Sequence, residues 1–436
     1  MKIGHPFFSL KLFFKHIASE KQIFRNIFWL GLGEAFTRLT KFVVIVLIAR
    51  IFLPEMYGKF SFAFNFAAIF LMLANFGTGR LIVRDINRGL DAKKILPHLY
   101  GFRILTSIIT YIIVCIFSLY ITSDPLIRQL IILFGLFITF SSLVDFYFAL
   151  FQGYQHFYAQ TILQIFQSII FLVGGLLIAW KGSSLKAFAW LYVGCAIATL
   201  IMATLYTLFK YKIYFLPKIN FRTWKTYLYM AWPIALGGIL TDVFARLDSV
   251  MMGHWRQFQA VGWYNANYRI IGLLLGIGVL ISYAFFPTVS RATNIAKERL
   301  LQLFKLQFIV MGLVLVPILS IGLFYTPQII KLLYGKEFLP AVFSLRILLL
   351  ALGCSYFFLP LKNFLIIVNK QQIFLILIST AVIMNFILNY LLIPKYSLNG
   401  ASVATLLTYL FLLASTGIWC FGYLKNVDNE ELSSKT

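Results

Sequence analysis

The chain predicts an all-α integral membrane protein with about twelve transmembrane helices in two six-helix lobes, and three observations carry that expectation. Of its 436 residues 61% are hydrophobic and only 12% are charged, about half the roughly 25% charged content of soluble domains. The apolar residues fall in runs of about 20, the length at which a helix crosses a hydrocarbon core roughly 30 Å thick. The basic residues that bring the net charge to +24 gather between alternate runs. Helices follow from the medium, because a backbone in lipid must satisfy its own hydrogen bonds and only helices and closed barrels do so.

In chain order the expected spans are 26–52, 61–83, 100–120, 127–150, 159–180, 187–209, 231–252, 262–285, 306–325, 343–366, 372–393 and 400–424. With the amino terminus in the cytoplasm, the inner segments hold 21 of the 38 Lys and Arg and the outer side 8, counting Arg128 at the edge of the fourth span. Basic residues are retained on the cytoplasmic side, so this asymmetry places both termini there and accounts for the charge without nucleic acid. The expected organisation is a cytoplasmic interfacial segment (1–25), an N-terminal lobe (26–209), a basic cytoplasmic linker (210–230), a C-terminal lobe (231–424) and a cytoplasmic tail (425–436). In the first segment Lys2, Lys11 and Lys15 alternate with Phe7, Phe8, Leu10, Phe13 and Phe14. That pattern suits an amphipathic helix lying on the bilayer, not a cleavable signal.

Several function classes are excluded. Cys115, Cys195, Cys354 and Cys420 fall singly in different spans, and the five histidines show no paired ligand spacing, so no metal or cofactor is expected. No GxxxxGK[ST] phosphate loop is present. The longest gaps between spans, 210–230 and 286–305, are too short for the soluble domain of a membrane enzyme. Gly272 and Gly276, in GLLLGIG, match a small-xxx-small pattern and read as ordinary helix packing.

Function is expected where charge interrupts apolar runs, because a buried charge in a spanning helix costs roughly 2.5 to 3.5 kcal/mol and faces a protein interior or a watery cavity. Glu34, Arg38 and Lys41 stand at i, i+4 and i+7 of the first span and share a face. Asp242 and Arg246 repeat acid and base at i, i+4 on the seventh span, and Asp145 and Arg269 are further interior charges. Asp248 points about 120° away from Asp242 and reads as a packing or topology residue. Gln160, Gln164 and Gln167 form a polar stripe suited to sugar hydroxyls or to neighbouring helices. Arg50, Arg80, Arg103, Arg346 and Lys362 stand nearer span ends, where snorkelling to the interface explains them. Pairing Glu34 with Arg38 and Asp242 with Arg246 leaves Lys41 and Arg269 as surplus cations, with Asp145 or an interfacial carbonyl as their alternative partners.

The halves show a loose repeat. A short outer turn follows each first span, LPEMYGKFSFAF (53–64) and RQFQAVGWYNANY (256–268), and setting Gly58 on Gly262 puts Arg38 and Asp242 in register. Six spans per half would make these parallel repeats about an axis along the membrane normal.

These residues carry a resemblance. ARIFLPEMYG (49–58), ANFGTGRLIVRDINR (74–88), the Pro233-led helix with Asp248 and then Val261, Gly262 and Tyr264, and FPTVSRA (286–292) resemble the Wzx-type polysaccharide flippases of the multidrug/oligosaccharidyl-lipid/polysaccharide exporter superfamily. The motifs cover about a quarter of the chain, and length and span count match throughout. The resemblance implies a MATE-like fold whose two lobes alternate between inward and outward openings around a central cavity. It implies a bacterial inner-membrane flippase, not an enzyme, that moves an undecaprenyl-pyrophosphate-linked oligosaccharide for O-antigen, capsule or exopolysaccharide synthesis, working beside polymerase machinery. On that reading Arg38, Lys41, Arg246, Arg269, Gln160, Gln164 and Gln167 contact substrate, while Glu34, Asp145 and Asp242 balance charge or couple transport to protons, sodium or the membrane potential. The rival expectation is a cation-coupled exporter of small molecules on the same fold, which would favour an apolar or acidic pocket.

Overall fold

The computed structural model describes residues 21–90, 92–182, 184–212, 216–292 and 297–433. Most of the expected interfacial segment (1–20) lies outside them, as do 213–215 of the linker and 434–436 of the tail. Every regular element among the described residues is helical.

Helix α1 (Lys21–Ile69) holds the first expected span and the start of the second in 49 residues, broken where Leu53 takes φ 61°. Pro54 explains the break: it has no N–H to continue the first limb, its ring excludes helical geometry from Leu53, and its own φ suits the first turn of a new helix. The expected outer turn 53–64 is therefore helical after a single residue. The last helix, α13 (Gln371–Ser433), breaks likewise at Ser397 (φ 51°), three residues after Pro394.

The second expected span, 61–83, is not one helix. The second limb of α1 ends at Ile69, α2 covers only Leu71–Asn75, and Phe76 (φ 43°) and Gly77 (φ 66°) turn the chain into α3 (Thr78–Asn87). The rest of the N-terminal half is α4 (Ala92–Ile121), α5 (Pro125–Gly153), α6 (Phe157–Trp180) and α7 (Leu185–Tyr211). Asp124 caps α5, accepting the Leu126 N–H at 2.8 Å, and Pro125 supplies its first turn.

The C-terminal half comprises α8 (Phe221–His254), α9 (Phe258–Ala292), α10 (Lys297–Phe324), α11 (Thr326–Tyr334), a 3₁₀ turn (Lys336–Ala341), α12 (Val342–Ile367) and α13. The expected 286–305 loop is mostly helix, since α9 runs through Ala292 and α10 resumes at Lys297. By length and composition, eight helices among the described residues suffice to cross a membrane, or nine if the bent pair Phe221–Pro233 and Ala235–His254 is one span. The protein is a multi-pass membrane protein.

Two junctions between the halves position the interior. A Cβ placed on Gly58 would lie 1.7 Å from the Phe258 carbonyl oxygen, and one placed on Gly262 1.9 Å from the Pro54 carbonyl oxygen. The contact is reciprocal: each glycine packs on the carbonyl four residues before the other, so the restart of α1 and the start of α9 meet backbone to backbone. Nearby, Asn65 Nδ2 donates to Asn265 Oδ1 at 2.7 Å, and Asn265 Nδ2 donates to Ser249 Oγ at 2.7 Å. Arg50 reaches over this end of the bundle, donating its Nε to the Leu333 carbonyl at 2.7 Å and its Nη2 to that of Leu332. Those carbonyls end α11, where a cation offsets groups that lack intrahelical donors.

Candidate functional site

Between the halves lies a cavity of about 930 Å³. α1 supplies Glu34, Arg38 and Lys41 to its wall, α5 Asp145 and Gln152, α6 Gln160, Gln164 and Gln167, α8 Arg246 and α9 Arg269. Every expected site residue except Asp242 lines it. Asp242 stands behind Arg246, accepting from its Nη1 at 2.9 Å. Phe64, Phe137, Phe148 and Tyr192 give the wall its apolar part.

The charges fall into pairs and a remainder. Arg38 Nε meets Glu34 Oε2 at 3.2 Å, as the i, i+4 spacing requires, and Arg38 Nη1 donates to the Gly272 carbonyl on α9 at 3.3 Å. A Cβ on Gly276 would lie 3.5 Å from that Nη1. The small residues read as simple helix packing are thus the seat of a guanidinium crossing between halves. Lys41 and Arg269, from opposite halves, have no carboxylate within 4.0 Å among the described residues. Arg269 instead sits 5.8 Å over the Phe64 ring, a cation–π contact.

Asp145 is held from behind the wall by a hydrogen-bond chain that leads to Arg103. Its Oδ2 accepts from Asn75 Nδ2 at 3.1 Å, and Asn75 Oδ1 accepts from Arg103 Nη1, which also reaches Ser142 Oγ at 3.3 Å. Arg103 does not snorkel: it is 2% exposed, because α4 begins at Ala92, a turn and more before the expected span, and carries Arg103 into its interior. Arg80 is not a snorkelling residue either. The turn at Phe76 and Gly77 sends α3 along the cavity, and Arg80 joins the lining. Neither placement has a periodicity to betray it, since both depend on where helices start.

Asp248, set aside on the sequence, is the centre of a second polar cluster. Only 3% exposed, it accepts from Tyr264, from Thr405 Oγ1 at 2.8 Å, from Asn389 Nδ2 at 2.5 Å and from Tyr268 at 3.4 Å. Those donors come from α9 and α13, so the cluster staples three helices of the C-terminal half and lies apart from the cavity lining.

The model of a family described as polysaccharide biosynthesis protein matches residues 23–293. No curated protein matches the chain. Among solved structures, the inward-facing conformation of a multidrug resistance MATE family transporter of the MOP superfamily aligns with a TM-score of 0.73 at 13% identity, over 90% of this chain and 96% of that one. The lipid II flippase MurJ in an inward closed conformation gives 0.73 at 16% identity, over 89% of this chain and 87% of that one. The outward-facing conformation of a multidrug resistance MATE family transporter gives 0.60 at 13%, over 94% and 97%. These likenesses show the fold, that of the MOP-superfamily transporters.

Proposed function

Because the chain belongs to the polysaccharide biosynthesis protein family, we propose that it is a flippase carrying an undecaprenyl-pyrophosphate-linked oligosaccharide from the cytoplasmic to the outer leaflet of a bacterial inner membrane. The observation that carries this reading is the pair Lys41 and Arg269, two cations from opposite halves facing one cavity with no carboxylate beside either among the described residues. Five cationic side chains line the cavity against the carboxylates Glu34 and Asp145, and counting Asp242 behind Arg246 leaves an excess of two positive charges. A pyrophosphate diester brings about two negative charges. Arg38 and Arg269 offer planar donor forks to its oxygens and Lys41 a compact point charge. The excess also disfavours a drug-type cation as cargo.

Binding by both halves at once gives the substrate a differential grip on conformations, which any ligand-driven shift requires. The cavity reaches the end of the bundle marked by Arg80, Gln152 and Gln160, while Gly58, Gly262 and Arg50 close the other end. Alternating access would reverse these two states. With the cytoplasm negative, moving two negative charges outward gains about 4.6 kcal/mol per 100 mV, at about 2.3 kcal/mol per charge. The potential alone therefore drives the proposed cycle, and Glu34 and Asp242 serve to hold Arg38 and Arg246 in place.

The test is reconstitution into liposomes with a fluorescent undecaprenyl-pyrophosphate oligosaccharide, reading headgroup accessibility from outside. Protein-dependent flipping, accelerated by an imposed potential and lost in Lys41→Ala and Arg269→Ala variants that remain folded, is the expected result. Flipping that ignores both substitutions, or none with several glycans, would overturn the reading in favour of small-molecule export.

A further inference from the structure

The cavity has a second, uncharged wall. Gln152 near the end of α5 and Gln160, Gln164 and Gln167 on α6 line it together. Gln152 Nε2 donates to Gln160 Oε1 at 3.0 Å, which holds the Gln160 amide with its nitrogen turned from that bond. Gln164 is 7% exposed, and its Oε1 is buried without a hydrogen-bond partner. That oxygen occupies the space of an absent side chain: a Cβ on Gly33 would lie 2.2 Å from it. Gly33 therefore lets the amide lie flat on α1, its carbonyl against the helix and its amino group the end left for the cavity. A buried amide such as that of Gln164 is costly unless something hydrogen-bonds to it.

The row has a direction. Thr161 Oγ1 donates to the Trp29 carbonyl at 2.7 Å, Gln164 meets Gly33, and Ser168 Oγ donates to Thr37 Oγ1 at 3.2 Å. Contacts that keep so constant an offset mean that α1 and α6 run parallel, side by side. Gln160 then lies level with the first exposed turns of α1, Gln164 with Gly33 and Gln167 just short of Arg38, while Lys41 lies deeper still. At 1.5 Å per residue the amides span about 10 Å between the cavity mouth and the cations.

We propose that Gln152, Gln160, Gln164 and Gln167 form a sugar-reading wall, hydrogen-bonding hydroxyl or N-acyl groups of the sugar units nearest the pyrophosphate and deciding which glycans pass. The pyrophosphate sits inward on Lys41, Arg38 and Arg269, and the glycan trails toward the mouth along the amides. Neutral amides suit this task because their remaining donors and acceptors can meet hydroxyl and N-acyl groups without the desolvation cost of a charge. A site built on hydrogen bonds rejects a ligand that leaves its polar groups unpaired. The proposal rests on the flippase reading.

The experiment uses the full chain in liposomes with two probes, undecaprenyl pyrophosphate bearing one N-acetylated hexose and bare undecaprenyl pyrophosphate, each scored by external phosphatase or pyrophosphatase. The quantity read is the ratio of glycosylated to bare lipid flipped. Gln160→Leu with Gln164→Leu is expected to lower that ratio about ten-fold, the effect of losing two or so neutral hydrogen bonds, and Gln167→Leu alone, at a half-buried position, less. A fall in both rates by the same factor, or an unchanged ratio in the folded Gln167→Leu and double variants, would overturn the wall while leaving the flippase standing. Wild-type protein that flips neither probe would overturn both.

Discussion

Arg38 on α1 holds Glu34 with its Nε at 3.2 Å and, with its Nη1, the Gly272 carbonyl of α9 at 3.3 Å. One guanidinium therefore joins two elements that the proposed cycle must move apart. On the proposed flippase reading an arriving phosphate oxygen would compete for the same Nη1, which would make substrate capture and release of this cross-link one event. Arg38→Lys keeps the charge but cannot hold Glu34 and Gly272 together, because an ammonium lacks the rigid fork. Loss of one hydrogen bond to a charged group, at about 1.5 to 3 kcal/mol, should weaken binding of a water-soluble short-chain polyprenyl-pyrophosphate glycan by about ten-fold or more. Calorimetric titration of wild type and variant in detergent checks it, and equal affinities would remove the fork from the binding step.

Gly58 and Gly262 make a stability prediction that the charged residues do not. Their absent side chains let backbone meet backbone, with the Phe258 and Pro54 carbonyl oxygens standing where Cβ atoms would be. Carbonyls of two helices cannot swing away as side chains do. Gly58→Ala and Gly262→Ala should therefore each cost about 1 to 3 kcal/mol by overpacking, despite the better helix propensity of alanine. A lowered melting temperature of the detergent-solubilised protein is the expected reading. Gly272→Ala is the control, since nothing lies within 4 Å of its would-be Cβ.

How far the sequence revealed the site follows the physics of each residue. Glu34, Arg38 and Lys41 were legible because helical spacing alone puts them on one face, and an intrahelical pair such as Asp242 with Arg246 needs no tertiary information. Gln160, Gln164 and Gln167 were legible as a stripe for the same reason. Arg50, Arg80 and Arg103 were not, because their surroundings depend on helix starts and breaks at Leu53, Phe76 and Ala92, where a hydropathy window averages across the boundary. Asp248 reads from the sequence as a packing or topology residue, but its partners Asn389 and Thr405 are more than 140 positions away, and such pairings leave no local pattern.

Asp248 itself supports a test of structure rather than transport. Replacing it with alanine would leave the hydroxyls of Tyr264, Tyr268 and Thr405 and the Asn389 amide facing an unfilled space among three helices. Each buried group left unsatisfied costs about 1 to 3 kcal/mol, so Asp248→Ala should lose at least about 3 kcal/mol. Asp248→Asn, which keeps volume and one carbonyl acceptor, should lose less. Comparable melting temperatures for wild type and Asp248→Ala would show the cluster to be dispensable.

Asp124, at the start of α5, gives the pH prediction. Partial burial works against its ionised form, but Lys59 at 3.0 Å and the N–H groups of Leu126 and Ile127 outweigh burial and hold the carboxyl below the ordinary aspartate range. A carboxyl whose folded pKa is depressed contributes stability that is fully present above its unfolded pKa, about 3.9, and is lost as pH falls through the lower folded value. The unfolded chain takes up the proton first, so acid favours unfolding in this window. Melting temperature should therefore decline from about pH 5 downward more steeply in wild type than in Asp124→Asn, with the two curves converging at the acid end. Because Lys59 belongs to α1, Lys59→Met should flatten the wild-type curve in the same direction. Parallel curves for wild type and Asp124→Asn would assign the N-terminal cap of α5 no part in acid stability.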